Sequence, residues 1–471
     1  MKLFLAFSLL YFSNGTWADQ VPASCLGNVK FDAISLNDAL VGASVRHPQI
    51  LIAQQELAKA NATTLAAITP FLPSANISVQ DEHFISRSTS GVVSVGSTVV
   101  GGQGDRFSNY VSVNATWNLF NGGKDIAGYR SAQSGVKASE SALANQINDS
   151  FAAVLTTYND LLKAQFALYQ QLSAVELIKQ IVSHSEERYQ HDRDSLIMVI
   201  QAKMMLAQNE RSLFQSCQAL FTKSAALAQA IGVRLPAEHI LKLSASLPDV
   251  AGLQTSDADL EVAIQSDPAV TAAKELIVVA QKKLDQSRAG YYPTVALVAR
   301  SDWLGQSPNG FGNAYNSTSL NSYRVGIALQ QPLGPFTSEY AAIESARAEV
   351  IKAEVSYQQS IIEVETKLRN ALSAKLQADL SDQSAQKSAR QAQEVVHLTD
   401  QLFSSGRTNL DMLEQVKIVS GTEQEQANEL AQNAKLNAWL VYRALKPIEF
   451  AAALVRASLE GASVDKSRSE R

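Results

Sequence analysis

Few side chains in this sequence are spaced for chemistry. Asp411 and Glu414 stand three residues apart behind a Ser-Ser-Gly406 break, so a helix starting there carries both carboxylates on one face. Such a pair can attract or repel ions. Equally, carboxylates in a first helical turn are stabilised by the helix dipole and need do nothing more. His184, Glu187 and His191 can share a helix face as metal ligands, but they sit at an exposed helix end where solvated side chains are expected. Gly101-Gly102-Gln103-Gly104 lacks the strand–helix context of a phosphate loop. With no nucleophile elbow, CxxC or paired-carboxylate site, neither catalysis nor a cofactor is expected.

The elements that must position Asp411 and Glu414 occur twice. In Leu402–Lys417 an amphipathic helical pattern breaks at Gly406 and resumes at Leu410, and Arg188–Lys203 repeats the event 214 residues earlier. That shift brings Tyr189 onto Phe403, Arg193 onto Arg407 and Lys203 onto Lys417. Pro48 to Pro73 and Pro268 to Pro293 are each 25 residues apart, bounding matched helical patterns. The chain therefore reads as two structural repeats, 36–232 and 258–447.

Beyond each closing proline the period drops to two. Strands are predicted over about 74–80 and 110–118, and over about 294–300 and 323–330, each with one apolar and one polar face. The Ser-, Gly- and Asn-rich stretches 81–109 and 302–322 read as long loops. Extended to about ten residues, such strands cross a bilayer at a tilt. Trp117, Phe120, Tyr291 and Tyr292 gather at the end opposite the loops, as an interfacial girdle does. Helical hairpins follow over 124–231 and 338–445. Ile147, Val154, Leu161, Leu168, Val175, Val182 and Tyr189 recur every seven residues, which specifies a left-handed coiled coil. At 1.5 Å per residue, this helix would span roughly 95 Å. In the second copy Ala371, Ala378, Ala385 and Ala392 form a small-residue stripe that permits close helix approach.

Composition agrees with long helices: charged residues are 18% and aromatics 7% of the 471 residues. A net charge of −5 gives no reason to expect nucleic acid. Lys2, the apolar Leu3–Phe12 and Thr16-Trp17-Ala18 read as a signal peptide over 1–18, followed by an N-terminal segment over 19–35. Cys25 has poor lipobox neighbours in Pro22-Ala23-Ser24, and Cys25 and Cys217 are expected to be unpaired. The polar stretch 448–471 is expected to be disordered. After the signal no segment has some 18 uninterrupted apolar residues, so any membrane crossing must use strands.

Four strands cannot close, and an open edge in hydrocarbon leaves N–H and C=O groups unpaired at several kcal/mol each. Two copies give a side-chain-filled eight-stranded barrel, whereas three give a twelve-stranded barrel with an open lumen. The expected fold is mainly α with membrane β: a duplicated helix–strand–strand–long helix–helix repeat forming a trimeric conduit. A non-conducting trimeric coiled-coil surface or structural protein is the competing class, although it has no need of strand pairs.

The duplicated halves, the proline-terminated helix before each strand pair, the strand exit Trp117–Gly123 (WNLFNGG) and the RY/F-x-x-G…L-D-x-L hairpin together resemble the TolC-type outer-membrane efflux and secretion channels, over about residues 36–447. The resemblance implies a homotrimer in the outer-membrane lipid of a Gram-negative bacterium, its twelve-stranded β-barrel continued by a twelve-helix periplasmic α-barrel. It also implies a periplasmic adaptor and an inner-membrane ABC or proton-driven transporter as partners, serving type I protein secretion or small-molecule efflux. In that family the hairpins form a tip that opens when the adaptor engages. Asp411 and Glu414 match the acidic pair there, so copies of the chain would ring the constriction with negative charge that favours cations and is blocked by them. Arg188, Tyr189, Asp192, Arg193, Phe403, Gly406 and Arg407 fall on the hairpin tip and adaptor-docking surface. Asp411 lies five residues past Gly406, one fewer than the family pattern, so the turn is expected to be tighter. Ile197 and Ile200 occupy the acidic positions in the first hairpin, and Asp192 replaces its turn glycine. Arg193 and Arg407 are candidate partners for Asp192, Asp194 or Asp411 in a closed tip, at about 0–1 kcal/mol per exposed pair.

Overall fold

The computed structural model describes residues 29–85, 93–95, 98–100, 106–191, 195–236, 238–243, 246–250 and 257–469. The expected signal segment 1–18, Cys25, the glycine run 101–104, Asp192, Arg193 and Asp194 lie outside the described residues. The first half runs β1 (Lys30–Ile34), α1 (Leu36–Arg46), α2 (Pro48–Ala66), β2 (Ser74–Phe84), β3 (Val93–Val95), β4 (Thr98–Val100), β5 (Arg106–Asn121), α3 (Lys124–Gln190) and α4 (Leu196–Ile231). The second runs β6 (His239–Leu243), α5 (Asp257–Ser266), α6 (Pro268–Arg288), β7 (Thr294–Ser307), α7 (Phe311–Asn316), β8 (Ser319–Gln330), α8 (Thr337–Ser404), α9 (Leu410–Leu445) and α10 (Phe450–Ser469). Helix pair, strand pair and long-helix hairpin thus occur twice. Pro48 and Pro268 each occupy the first turn of a helix, where a missing N–H costs nothing. The chain divides into two units, one of residues 57–138 and 273–357 and the other of the remainder.

The first of these units holds a four-stranded antiparallel sheet in the order β2-β5-β7-β8. Its strands have 11, 16, 14 and 12 residues and run past the expected limits into the stretches read as loops. Cross-strand hydrogen bonds explain the extension, since they offset the low strand preference of Asp and Asn. Asn109 Nδ2 donates to Asp81 Oδ1 at 2.6 Å between register partners, and Asp302 pairs with Ser322. The two presumed loops also contain structure of their own, the β3–β4 hairpin and α7. Alternation gives the sheet one polar face, on which Ser78 and Ser112 hydroxyls meet at 2.7 Å. On the other face Ile77 and Val79 of β2, and Tyr323, Val325, Ile327 and Leu329 of β8, stand exposed. The Trp117 indole donates to Phe71 O at 2.9 Å, tying β5 to the chain ahead of β2.

In the other unit the heptad row forms a core. Val154, Leu161 and Leu168 are fully buried, Val175 nearly so, and the row ends at an exposed Tyr189. Ala385 and Ala389 of the small-residue face pack on Ala427 of α9, with Leu430 beside them. Two strands that the sequence reading missed, β1 and β6, pair in parallel, Ile34 opposite Leu243. Ser224 of α4 accepts from the Leu241 N–H at 2.8 Å and so fixes β6 on the helices. Within the stretch 448–471 expected to be disordered, Phe450–Ser469 form α10, which buries Phe450 and Leu454 completely, and just ahead of it Asn148 Nδ2 donates to Pro447 O at 2.7 Å. The apolar i, i+4 pair outweighs the charges that follow it. Cys217 is disulfide-bonded, correcting its expected unpaired state.

Candidate functional site

The hairpin ends are shaped by local backbone chemistry. At the end of α8 the Arg407 N–H donates to Leu402 O at 2.9 Å and the Gly406 N–H to Phe403 O at 3.0 Å. These two bonds are a Schellman cap, with Gly406 in the left-handed region at φ 70°. Three residues later Asn409 caps α9, its Oδ1 accepting from the Met412 N–H at 3.0 Å. A glycine stop and an asparagine start this close leave a short turn, and they put Asp411 in the first turn of α9.

Asp411 and Glu414 do share one side of α9, but each has a cation. Arg188, at the end of α3, donates from Nη1 to Asp411 Oδ2 at 2.6 Å, joining the first hairpin to the second. The partners expected for Asp411 were Arg193 and Arg407. Arg407 is exposed and makes no ion pair among the described residues. Arg188, in the last turn of α3, takes that place instead. Glu414 is 5% exposed; Lys417 Nζ lies 3.1 Å from its Oε1, while Oε2 has no hydrogen-bond partner among the described residues. Lys417, one helical turn on, was legible from the sequence as an i, i+3 partner. Tyr189 and Phe403 are exposed. The first hairpin presents apolar residues instead of carboxylates: Ile197, Met198 and Ile200 stand exposed, and Lys203 pairs with Glu186 at 2.7 Å. His184 approaches Glu187 at 3.9 Å, but among the described residues no group of three His, Cys, Asp or Glu is placed to hold a metal ion.

A duplicated helical hairpin chain with an unclosed, two-faced antiparallel sheet is the build of an outer-membrane channel subunit. The model of the outer membrane efflux protein family matches residues 40–233 and 260–444, and the chain belongs to that family. It is 28% identical over 265 residues to Protein CyaE of Bordetella pertussis, an alignment covering 56% of this chain and 55% of that protein. The match therefore spans about half the length of that relative. The fold is that of the outer membrane protein VceC of Vibrio cholerae, with 18% identity, a TM-score of 0.68 and coverage of 87% and 95% of the two chains. It is likewise that of the Campylobacter jejuni CmeC outer membrane channel, at 17% identity, TM-score 0.68 and coverage of 90% and 89%.

Proposed function

We propose that the protein is the outer-membrane exit duct of a tripartite export system. In this reading it assembles as a homotrimer, receives substrate from an inner-membrane ABC or proton-driven transporter through a periplasmic adaptor, and releases it outside. The observation that carries the reading is the sheet, which exposes an apolar row on one face, hydrogen-bonds polar side chains on the other, and leaves β2 and β8 as edges. A sheet of that kind is stable in a bilayer only when closed around a polar lumen. The hairpin ends act as the gate. Asp411 and Glu414 are held by Arg188 and Lys417 in the closed form, and opening would release Asp411 to face the pore. Exposed Tyr189, Phe403, Arg407 and the neighbouring hairpin residues receive the adaptor.

Single-channel recording of the purified full-length chain in planar bilayers tests this. The wild type should conduct, and D411A/E414A should lose cation preference and cation block. A conducting double variant with unaltered selectivity would remove the gate assignment. A wild type that never conducts would favour a structural coiled-coil role.

A further inference from the structure

On the polar face of the sheet, charge is arranged in a way that strand pairing alone opposes. Arg300 of β7 and Arg324 of β8 are register partners, so two guanidiniums stand directly across from each other. Like charges in that relation destabilise an antiparallel pair. Asp302, two residues along β7 on the same face, joins them: its Oδ1 accepts from Arg300 Nε at 2.7 Å and its Oδ2 from Arg324 Nη2 at 3.2 Å. Its other lone pairs take the Tyr110 hydroxyl at 2.5 Å and Ser322 Oγ at 3.1 Å, and Arg300 also reaches the Tyr110 hydroxyl. The carboxylate is 3% exposed, whereas the Arg300 and Arg324 side chains keep 39% and 54% of their surface. The anion is sequestered and the cations are presented. Elsewhere on this face the described strand residues carry one charge of each sign, Glu82 and Arg106.

We infer that Arg300 and Arg324 form a cationic belt inside the barrel that recognises anionic groups on whatever passes, with Asp302 and Tyr110 as positioning residues. This rests on the proposal that the polar face lines a lumen. Each copy contributes two guanidiniums to one buried carboxylate, so assembly multiplies a net positive charge around the bore. Planar guanidiniums that keep this much exposed surface suit carboxylate and phosphate oxygens. The belt is opposite in sign to the acidic pair Asp411 and Glu414, so the duct has two filters of opposite preference.

The test uses inositol hexakisphosphate, a compact polyanion, added to either side of bilayers holding the full-length protein. Conductance of the wild type should be blocked from one side only. In R324Q the block should weaken about tenfold, and R324K, which keeps the charge, should retain it. R300Q provides a second charge-removing variant should R324Q fail to assemble. A conducting wild type that the polyanion does not block, or neutralised variants blocked as strongly as the wild type, would overturn the belt and leave the duct standing. A wild type without conductance would remove the duct itself.

Discussion

Arg188 and Asp411 are 223 residues apart and meet at 2.6 Å, the contact that joins the two repeats at their hairpin turns. Both side chains keep access to water, so the pair contributes only about 0–1 kcal/mol. That is a suitable strength for a contact that must break during transport. R188Q should therefore raise open-channel occupancy by up to about fivefold without altering the melting temperature, a combination that bilayer recording and circular dichroism can check together. Asp267, between α5 and α6, behaves differently. Burial raises its pKa, and the Ala269 N–H at 2.8 Å with the charges of Arg443 and Lys367 draws it only part of the way back. Its folded-state pKa lies above the unfolded value, so the folded chain binds the proton more tightly. Stability on this account is fully present below the unfolded pKa and is lost as pH rises through the folded one. D267N should melt higher than the wild type at pH 7, with the gap closing as pH falls towards 3.8. A gap that does not change with pH would remove burial of the charge as its cause.

Two helices end on left-handed glycines in Schellman caps, and their surroundings separate the expected effects of substitution. A Cβ on Gly406 meets nothing within 4 Å, so G406A should cost only the backbone strain of φ 70°, about 1–2 kcal/mol. Hydrogen exchange should quicken around Arg407, whose N–H closes the cap, with little change in global melting. On Gly232 the same Cβ would lie 2.5 Å from Arg46 O, a backbone atom at the end of α1. G232A should thus cost roughly 2–5 kcal/mol and lower the melting temperature of the whole chain. These caps were legible because glycine after a long apolar repeat is a local signal. The prolines ahead of each strand pair and the seven-residue row through Val154, Leu161 and Leu168 were local in the same sense. Contacts between distant segments were not legible. β1 pairs with β6 across the whole first repeat, Lys30 opposite His239, and two five-residue strands carry too little periodicity to be found alone. Likewise, nothing near Asp411 in sequence singles out Arg188. The α10 error was one of weighting: Phe450 and Leu454 were present, but the charges around Asp465 hid them.

The sheet sets what the whole molecule can be. β2 and β8 are its edges, with 11 and 12 residues each, and among the described residues no further strand pairs with the outer side of either. Four antiparallel strands per chain mean that β2 and β8 run in opposite senses. A β8 laid beside the β2 of a neighbouring copy therefore continues the antiparallel pattern without a break. Chains can be added in this way until the sheet meets itself, and a lumen that stays open needs twelve strands or thereabouts. Cysteines at Ile77 on β2 and at Val325, Ile327 or Leu329 on β8 test the join, since these side chains share the exposed apolar face. With a short bismaleimide, each double-cysteine variant whose register fits should give covalent dimers and trimers and nothing larger, while the single-cysteine variants should give no trimer. A ladder continuing past the trimer would mean open polymerisation of the edges. The same face predicts the cost of charge: V325K places an ammonium towards lipid at about 2–4 kcal/mol per copy if the site is near the midplane. Because every copy in the ring carries that cost, V325K should abolish heat-resistant trimers on a gel. The matching change on the polar face, G326K, should leave them intact, because there the side chain points into water.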